Sequence, residues 1–218
     1  MEPDAVEIRV VASLVEKQRT TPDAYPLSLN SLRLACNQST NRDPVVSYDE
    51  ATVSEALRRL AQRGWTRLAS GPGSRARKYR HLLPEALGVD AGELALLTVL
   101  MLRGPQTPGE LKQRSERLHP FEGRAAVSET LERLRERELV VRHPRRPGQK
   151  EDRYEQLLGG GEVGEAVEAE SDSPPLVSEA APPPGEDDRL KRIERQIAAL
   201  RSELASLREA LGETPPGA

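Results

Sequence analysis

Apolar residues along this chain keep helical spacing in some stretches and alternate in others. Ile8, Val11, Leu14 and Val15 recur at helical intervals, and Asp4 stands where such a helix needs a cap. A loop with Pro22 and Pro26 comes next. Ser28 then caps a short helix carrying Leu29, Leu32, Leu34 and Ala35. Ser47, with Glu50 three residues on, reads as a capping box for a third helix. That helix buries Val53, Leu57, Leu60 and Ala61 and ends at Gly64. Trp65–Ala69 and Ala76–Leu82 read as paired strands around the turn Ser70-Gly-Pro-Gly-Ser74.

The same order then returns. Asp90 caps a helix with Leu94, Leu96, Leu97, Val99, Leu100 and Leu102, and Gly104 stops it. Thr107 caps a short helix with Pro108 at its favoured first position. A helix over about 123–138 precedes strands at Leu139–His143 and Arg153–Leu157, joined through Pro144-Arg-Arg-Pro-Gly-Gln-Lys150. The third helices are close copies. Residues 53–63 and 127–137 agree at seven of eleven positions at an offset of 74, among them Glu55/Glu129, Arg59/Arg133 and Arg63/Arg137. Helix, strand and basic hairpin form the back half of a winged-helix unit. The expected fold is therefore mainly α with small β-hairpins: tandem winged helix-turn-helix domains at 1–86 and 87–158.

The rest of the chain is different in kind. Residues 159–188 hold five prolines, nine acids and no Lys or Arg, a composition expected of a disordered acidic linker. From there Leu190, Ile193, Ile197, Leu200, Leu204, Leu207 and Leu211 alternate at intervals of three and four. These are a and d positions of a C-terminal coiled-coil helix over 189–212, and a homo-oligomer through it is expected.

Composition changes the picture at three points. A 36% hydrophobic share with few aromatics predicts small cores of Leu, Val and Ala rather than one large core. The net charge of −3 hides an asymmetry: residues 1–158 carry 26 Lys+Arg against 22 Asp+Glu, a net of +4, while the linker carries −9. Cys36 is the sole cysteine, and no apolar run reaches the roughly 18 residues of a membrane span. The acidic start lacks the basic region of a signal peptide, so a cytoplasmic protein without membrane contact is expected.

Three stretches carry a resemblance. Tyr25-Pro-Leu-Ser-Leu-Asn-Ser-Leu-Arg-Leu-Ala-Cys-Asn-Gln-Ser-Thr-Asn-Arg-Asp-Pro-Val45 resembles the signature of the YceH-like family of uncharacterised bacterial proteins. Leu102-Arg-Gly-Pro-Gln-Thr-Pro-Gly-Glu-Leu111 and Val141-Arg-His-Pro-Arg-Arg-Pro-Gly-Gln-Lys150 resemble its other motifs. The resemblance covers about 5–158, leaving linker and coiled coil outside the family core. It implies a pair of winged-helix domains, and no established activity, ligand or catalytic residue.

Candidate chemistry is that of binding. In many winged helices the third helix enters the major groove and the wing meets backbone or minor groove. Here Arg58, Arg59 and Arg63 lie on the solvent face of the first repeat helix, among Glu55 and other acids that leave it close to neutral. The wings are more basic: Arg75, Arg77, Lys78 and Arg80 in the first, Arg145, Arg146 and Lys150 in the second. Cations on a hairpin neutralise phosphates and release counterions. Asn41 and Arg42, in an irregular polar loop, complete the candidate nucleic-acid contacts.

His81, His119 and His143 are scattered without metal-ligand spacing, and no phosphate loop or nucleophile elbow occurs, so neither enzyme, metal nor cofactor is expected. Cys36 beside Leu34 and Ala35 reads as a buried thiol. The expectation is a transcription-related protein that binds double-stranded DNA. The alternative is a protein-interaction scaffold without nucleic acid, binding a protein partner.

Overall fold

A computed structural model describes residues 2–69, 77–145 and 149–159. The tips of both hairpins, the acidic linker beyond 159 and the C-terminal heptads lie outside the described residues. The architecture is mainly helical with two small antiparallel sheets. In chain order the elements are α1 (Ala5–Thr20), β1 (Leu27–Ser28), α2 (Leu29–Cys36), α3 (Glu50–Gln62), β2 (Thr66–Leu68), β3 (Lys78–His81) and α4 (Leu83–Leu87). Then come α5 (Ala91–Arg103), α6 (Pro108–Ser115), α7 (Arg124–Glu136), β4 (Val140–His143) and β5 (Arg153–Gln156).

The two halves repeat in their three main helices and the hairpin that follows, while α4 has no counterpart in the second. The first sheet has the order β1-β3-β2, with Leu27 opposite Tyr79. In the second half β4 pairs with β5, and a single bridge between Gln106 and Tyr154 takes the place of β1. Where the halves meet, α1 lies against α5. Every residue from Glu7 to Val15 and from Gly92 to Leu102 is buried. Each helix is covered on one side by its own half and on the other by its counterpart. The result is one continuous core from Ile8 to Leu158, not the separate small cores that composition suggested. Both halves fall within a single unit of the chain. Shared burial explains the difference, because two faces of α1 and α5 are used at once.

Caps show which sequence signals fix the helices. The Asp4 carboxylate accepts the Glu7 N–H at 2.8 Å, and Glu7 accepts the Asp4 N–H at 3.1 Å. Asp90 and Glu93 repeat this box, and Thr107 and Glu110 form a third. The α3 box expected at Ser47 does not form. The Asn37 side chain holds the backbone of Tyr48 extended, accepting its N–H at 2.9 Å and donating to its carbonyl at 2.8 Å. The helix can start only after that clamp, so Asp49 is the cap and accepts from the Thr52 N–H. Within α3 the buried alanine is Ala56, while Ala61 is exposed. β3 likewise stops at His81, and α4 forms instead of further strand, ended by Gly88 at φ 62°. On α2, Leu32 and Ala35 face the core, whereas Leu34 is 55% exposed.

The box glutamates do a second job. Glu7, 2% exposed, meets Arg63 at 3.1 Å and Arg59 at 3.6 Å, while Arg59 also reaches Asp4 at 2.7 Å. Glu93 meets Arg137 at 3.1 Å and Arg133 at 3.6 Å, and Arg133 reaches Asp90 at 3.4 Å. The third helix of each half is thereby bolted to the first turn of the first helix. Removing such a carboxylate leaves Arg63 or Arg137 without its carboxylate and opens half of a capping box at once. Glu7→Ala and Glu93→Ala should each cost about 3 kcal/mol in urea unfolding, whereas exposed Glu55→Ala should leave the unfolding midpoint nearly unchanged. Losses below about 1 kcal/mol at both buried positions would show that the bolts do not hold the third helix of each half to the first.

Candidate nucleic-acid interface

The bolts remove cations from the face of α3. Arg59 and Arg63 are held by Asp4 and Glu7, and Arg58 bonds Glu55 at 2.5 and 2.9 Å. The charged residues still exposed on this helix are Glu50, Glu55 and Arg58. Arg59 and Arg63, expected on the solvent face of this helix, are thus turned toward α1 and only partly exposed.

Arg42 is a correction. Asn41 adopts φ 60°, and the turn drives the Arg42 side chain into the protein, where it is fully buried. Its guanidinium meets Glu16 at 2.6 and 3.0 Å and donates twice to the Ala35 carbonyl at the end of α2. Arg42 therefore closes α2 against α1 and is out of reach of a phosphate in this geometry. Asn41 stays exposed and accepts from Arg103.

The first hairpin keeps its charge. Strand alternation places Thr66, Tyr79 and His81 toward the core side and Arg67, Lys78 and Arg80 on the opposite face. Arg67 stands directly opposite Arg80 in the ladder. Like charges so opposed repel. Among the described residues no carboxylate pairs with Arg67, Arg77, Lys78 or Arg80, whereas most other strand and helix arginines have one. The Arg80 Nε is buried without a hydrogen-bond partner. Arg67 was missed in the sequence because it is one cation beside Leu68. Only the register with Arg80 makes it part of a cluster. Arg75 lies outside the described residues.

The base of this hairpin is rigidly held. The Tyr25 hydroxyl accepts the His81 N–H at 2.9 Å, and the His81 ring bonds Gln18 at 2.7 Å. Burial pushes His81 down to about 4 and Tyr25 up to about 12. Burial also raises Cys36, to about 11, so the thiol is inert at neutral pH.

The second hairpin neutralises itself. Asp152 pairs with Arg142 and accepts the Arg145 N–H at 2.8 Å, while Glu151 pairs with Arg124. Arg153 is bound to Glu110 at 3.3 Å and to the Pro105 carbonyl. Lys150 and the Arg145 side chain are exposed beside these acids, and Arg146 lies outside the described residues. Among the described residues no group of His, Cys, Asp or Glu could hold a metal ion, and no helix is long and apolar enough to cross a membrane.

Fold and surface define a mainly helical protein of two matched halves, one of which carries a sheet face whose cations pair with no carboxylate among the described residues. The chain belongs to the family described as "Protein of unknown function, DUF480", which matches residues 4–149. This is the family read from the 25–45, 102–111 and 141–150 motifs. It is 47% identical over 209 residues to a UPF0502 protein of Pelobacter propionicus, covering 95% of this chain and 94% of that one. It is 44% identical over 207 residues to one of Pseudomonas fluorescens, covering 94% of each. Likeness to these relatives thus runs well past residue 159, although the family match ends at 149.

His81 supplies a pH test of the hairpin base. Its folded pKa of about 4 lies below the ordinary 6.5, so the unfolded chain takes up the proton first as pH falls. Stability contributed by neutral His81 is complete above about pH 6.5 and is lost on acidification toward pH 4. Urea unfolding across this window should show a loss on the order of 3 kcal/mol that His81→Gln flattens. An unchanged acid limb in that variant would assign the loss to other groups.

Proposed function

We propose that this chain is a non-enzymatic, transcription-related protein whose halves are two winged-helix units, and that it binds double-stranded DNA through the backbone. The observation that carries this reading is the register of the first sheet. Arg67, Lys78 and Arg80 share a face without a carboxylate partner among the described residues, and Arg77 precedes it in the chain. A run of phosphates would relieve the Arg67–Arg80 repulsion that the free protein bears. The near-neutral α3 makes base readout secondary to phosphate contact. The second hairpin, through Arg145 and Lys150, adds little because acids sit beside it.

A specific observation favours the scaffold as second reading. Leu34 and Val45 are 55% and 58% exposed on α2 and the loop after it, next to the polar 37–41 segment. Such residues suit a protein partner better than a duplex. In either reading the heptad from Leu190 to Leu211 brings copies of the chain together, and the linker gives them a high effective concentration on one target.

Fluorescence anisotropy of a labelled random duplex, titrated with the full chain across a salt series, tests the first reading. Affinity should be micromolar at low salt, with log K falling against log salt with a slope of about −3. Arg67→Gln with Arg80→Gln should reduce that slope by about 2. No binding at low salt would sink the DNA reading and leave the scaffold.

The C-terminal heptad has its own check. Sedimentation of the full chain should give a dimer or trimer, and Leu200→Asp with Leu204→Asp should give the monomer. A monomeric parent would remove the oligomer.

A further inference from the structure

A groove of about 500 Å³ opens between the halves, and its lining shares no residue with the basic sheet. The end of α1 contributes Glu16 and Thr20, and the loop after α2 contributes Asn41. Val99, Leu102 and Arg103 come from the end of α5, and Arg114, Arg117 and Leu118 from α6 and the turn after it. Its charge is lopsided. Glu16 is consumed by Arg42 at 2.6 Å, and Lys17 lies 3.7 Å from the same carboxylate. Arg114 reaches Glu110 at 3.5 Å, but Glu110 also serves Arg153.

Arg103 and Arg117 pair with no carboxylate among the described residues. Of its five donors, Arg103 uses one, on the Asn41 amide oxygen. Burial, then Arg114 and Arg42, push the Arg103 pKa down, while Glu16 and Asp43 act weakly the other way. Arginines at helix ends are often explained by the helix dipole, which accounts for Arg103 and Arg114. It does not account for Arg117, which lies past the end of α6.

We propose that this groove is a binding site for a small phosphorylated molecule, with Arg103, Arg114 and Arg117 holding its phosphate or diphosphate. Planar guanidinium forks match phosphate oxygens two at a time, and a multiply charged anion relieves several repulsions at once. Val99, Leu102 and Leu118 offer an apolar wall to the rest of the molecule. Because α1 and α5 both line the groove, a ligand there touches both halves.

The test is calorimetric titration of the full chain with inorganic pyrophosphate in low-salt chloride buffer. Saturable binding to one site per chain is expected, weakened about tenfold or more by Arg103→Gln or Arg117→Gln. Arg67→Gln with Arg80→Gln should leave it unchanged, which separates this site from the sheet face. Arg117 is exposed and bonds nothing among the described residues, so Arg117→Gln decides the matter should Arg103→Gln fail to fold. Absence of saturable binding would overturn the proposal, as would equal weakening by the sheet-face pair. Loss of duplex affinity in Arg117→Gln comparable to its loss of pyrophosphate affinity would overturn it too, making the groove part of a nucleic-acid path.

Discussion

Everything in each half rests on a glutamate that does two jobs. Glu7 and Glu93 close the capping boxes of α1 and α5 and receive the arginines of α3 and α7. A buried carboxylate must be compensated, and here the compensation is structural: orphan N–H groups at the helix start and two guanidiniums from a helix distant in sequence. The bolt fixes where α3 and α7 sit and therefore where each hairpin leaves the core. It also draws on the charge of α3 and α7, since these arginines each spend donors on a buried carboxylate.

How far this could be read from the sequence depends on the range of each interaction. Asp4, Ser28, Asp90 and Thr107 cap the helices expected of them, because a cap needs only three or four neighbouring residues. Ser47 failed because the Asn37 clamp on Tyr48, eleven residues away, decides where α3 can begin. Arg59 and Arg63 sit on the face that periodicity gives them. Periodicity cannot tell water from another helix when both accept a salt bridge. β1 and α4 were missed because one is two residues long and made only by pairing with β3, and the other continues from a strand without a break.

The candidate site was half legible. Arg77, Lys78 and Arg80 stood out as an acid-free run, and the structure leaves them unpaired among the described residues. Arg67 needed the strand register. Arg42 misled because a polar loop suggests exposure, whereas the turn at Asn41 aims the next side chain inward. Most informative is the contrast between hairpins that are otherwise copies. Asp152 and Glu151 neutralise the second, and among the described residues nothing equivalent stands at the first. Two halves built on one plan thus differ in surface charge while sharing the same bolt.

The two cationic surfaces share a helix. Along α1, Glu16 secures Arg42 beside the groove and Gln18 secures His81 at the base of β3. A shared helix does not by itself couple them. Coupling needs a second arrangement of α1 that one ligand prefers. Yet α1 is buried on all sides from Glu7 to Val15, bolted at its first turn, and packed against α2, α3 and α5. Close-packed interiors resist gradual displacement. The structure therefore argues for two surfaces that act additively, with occupancy of the groove stabilising the junction of the halves rather than altering the sheet.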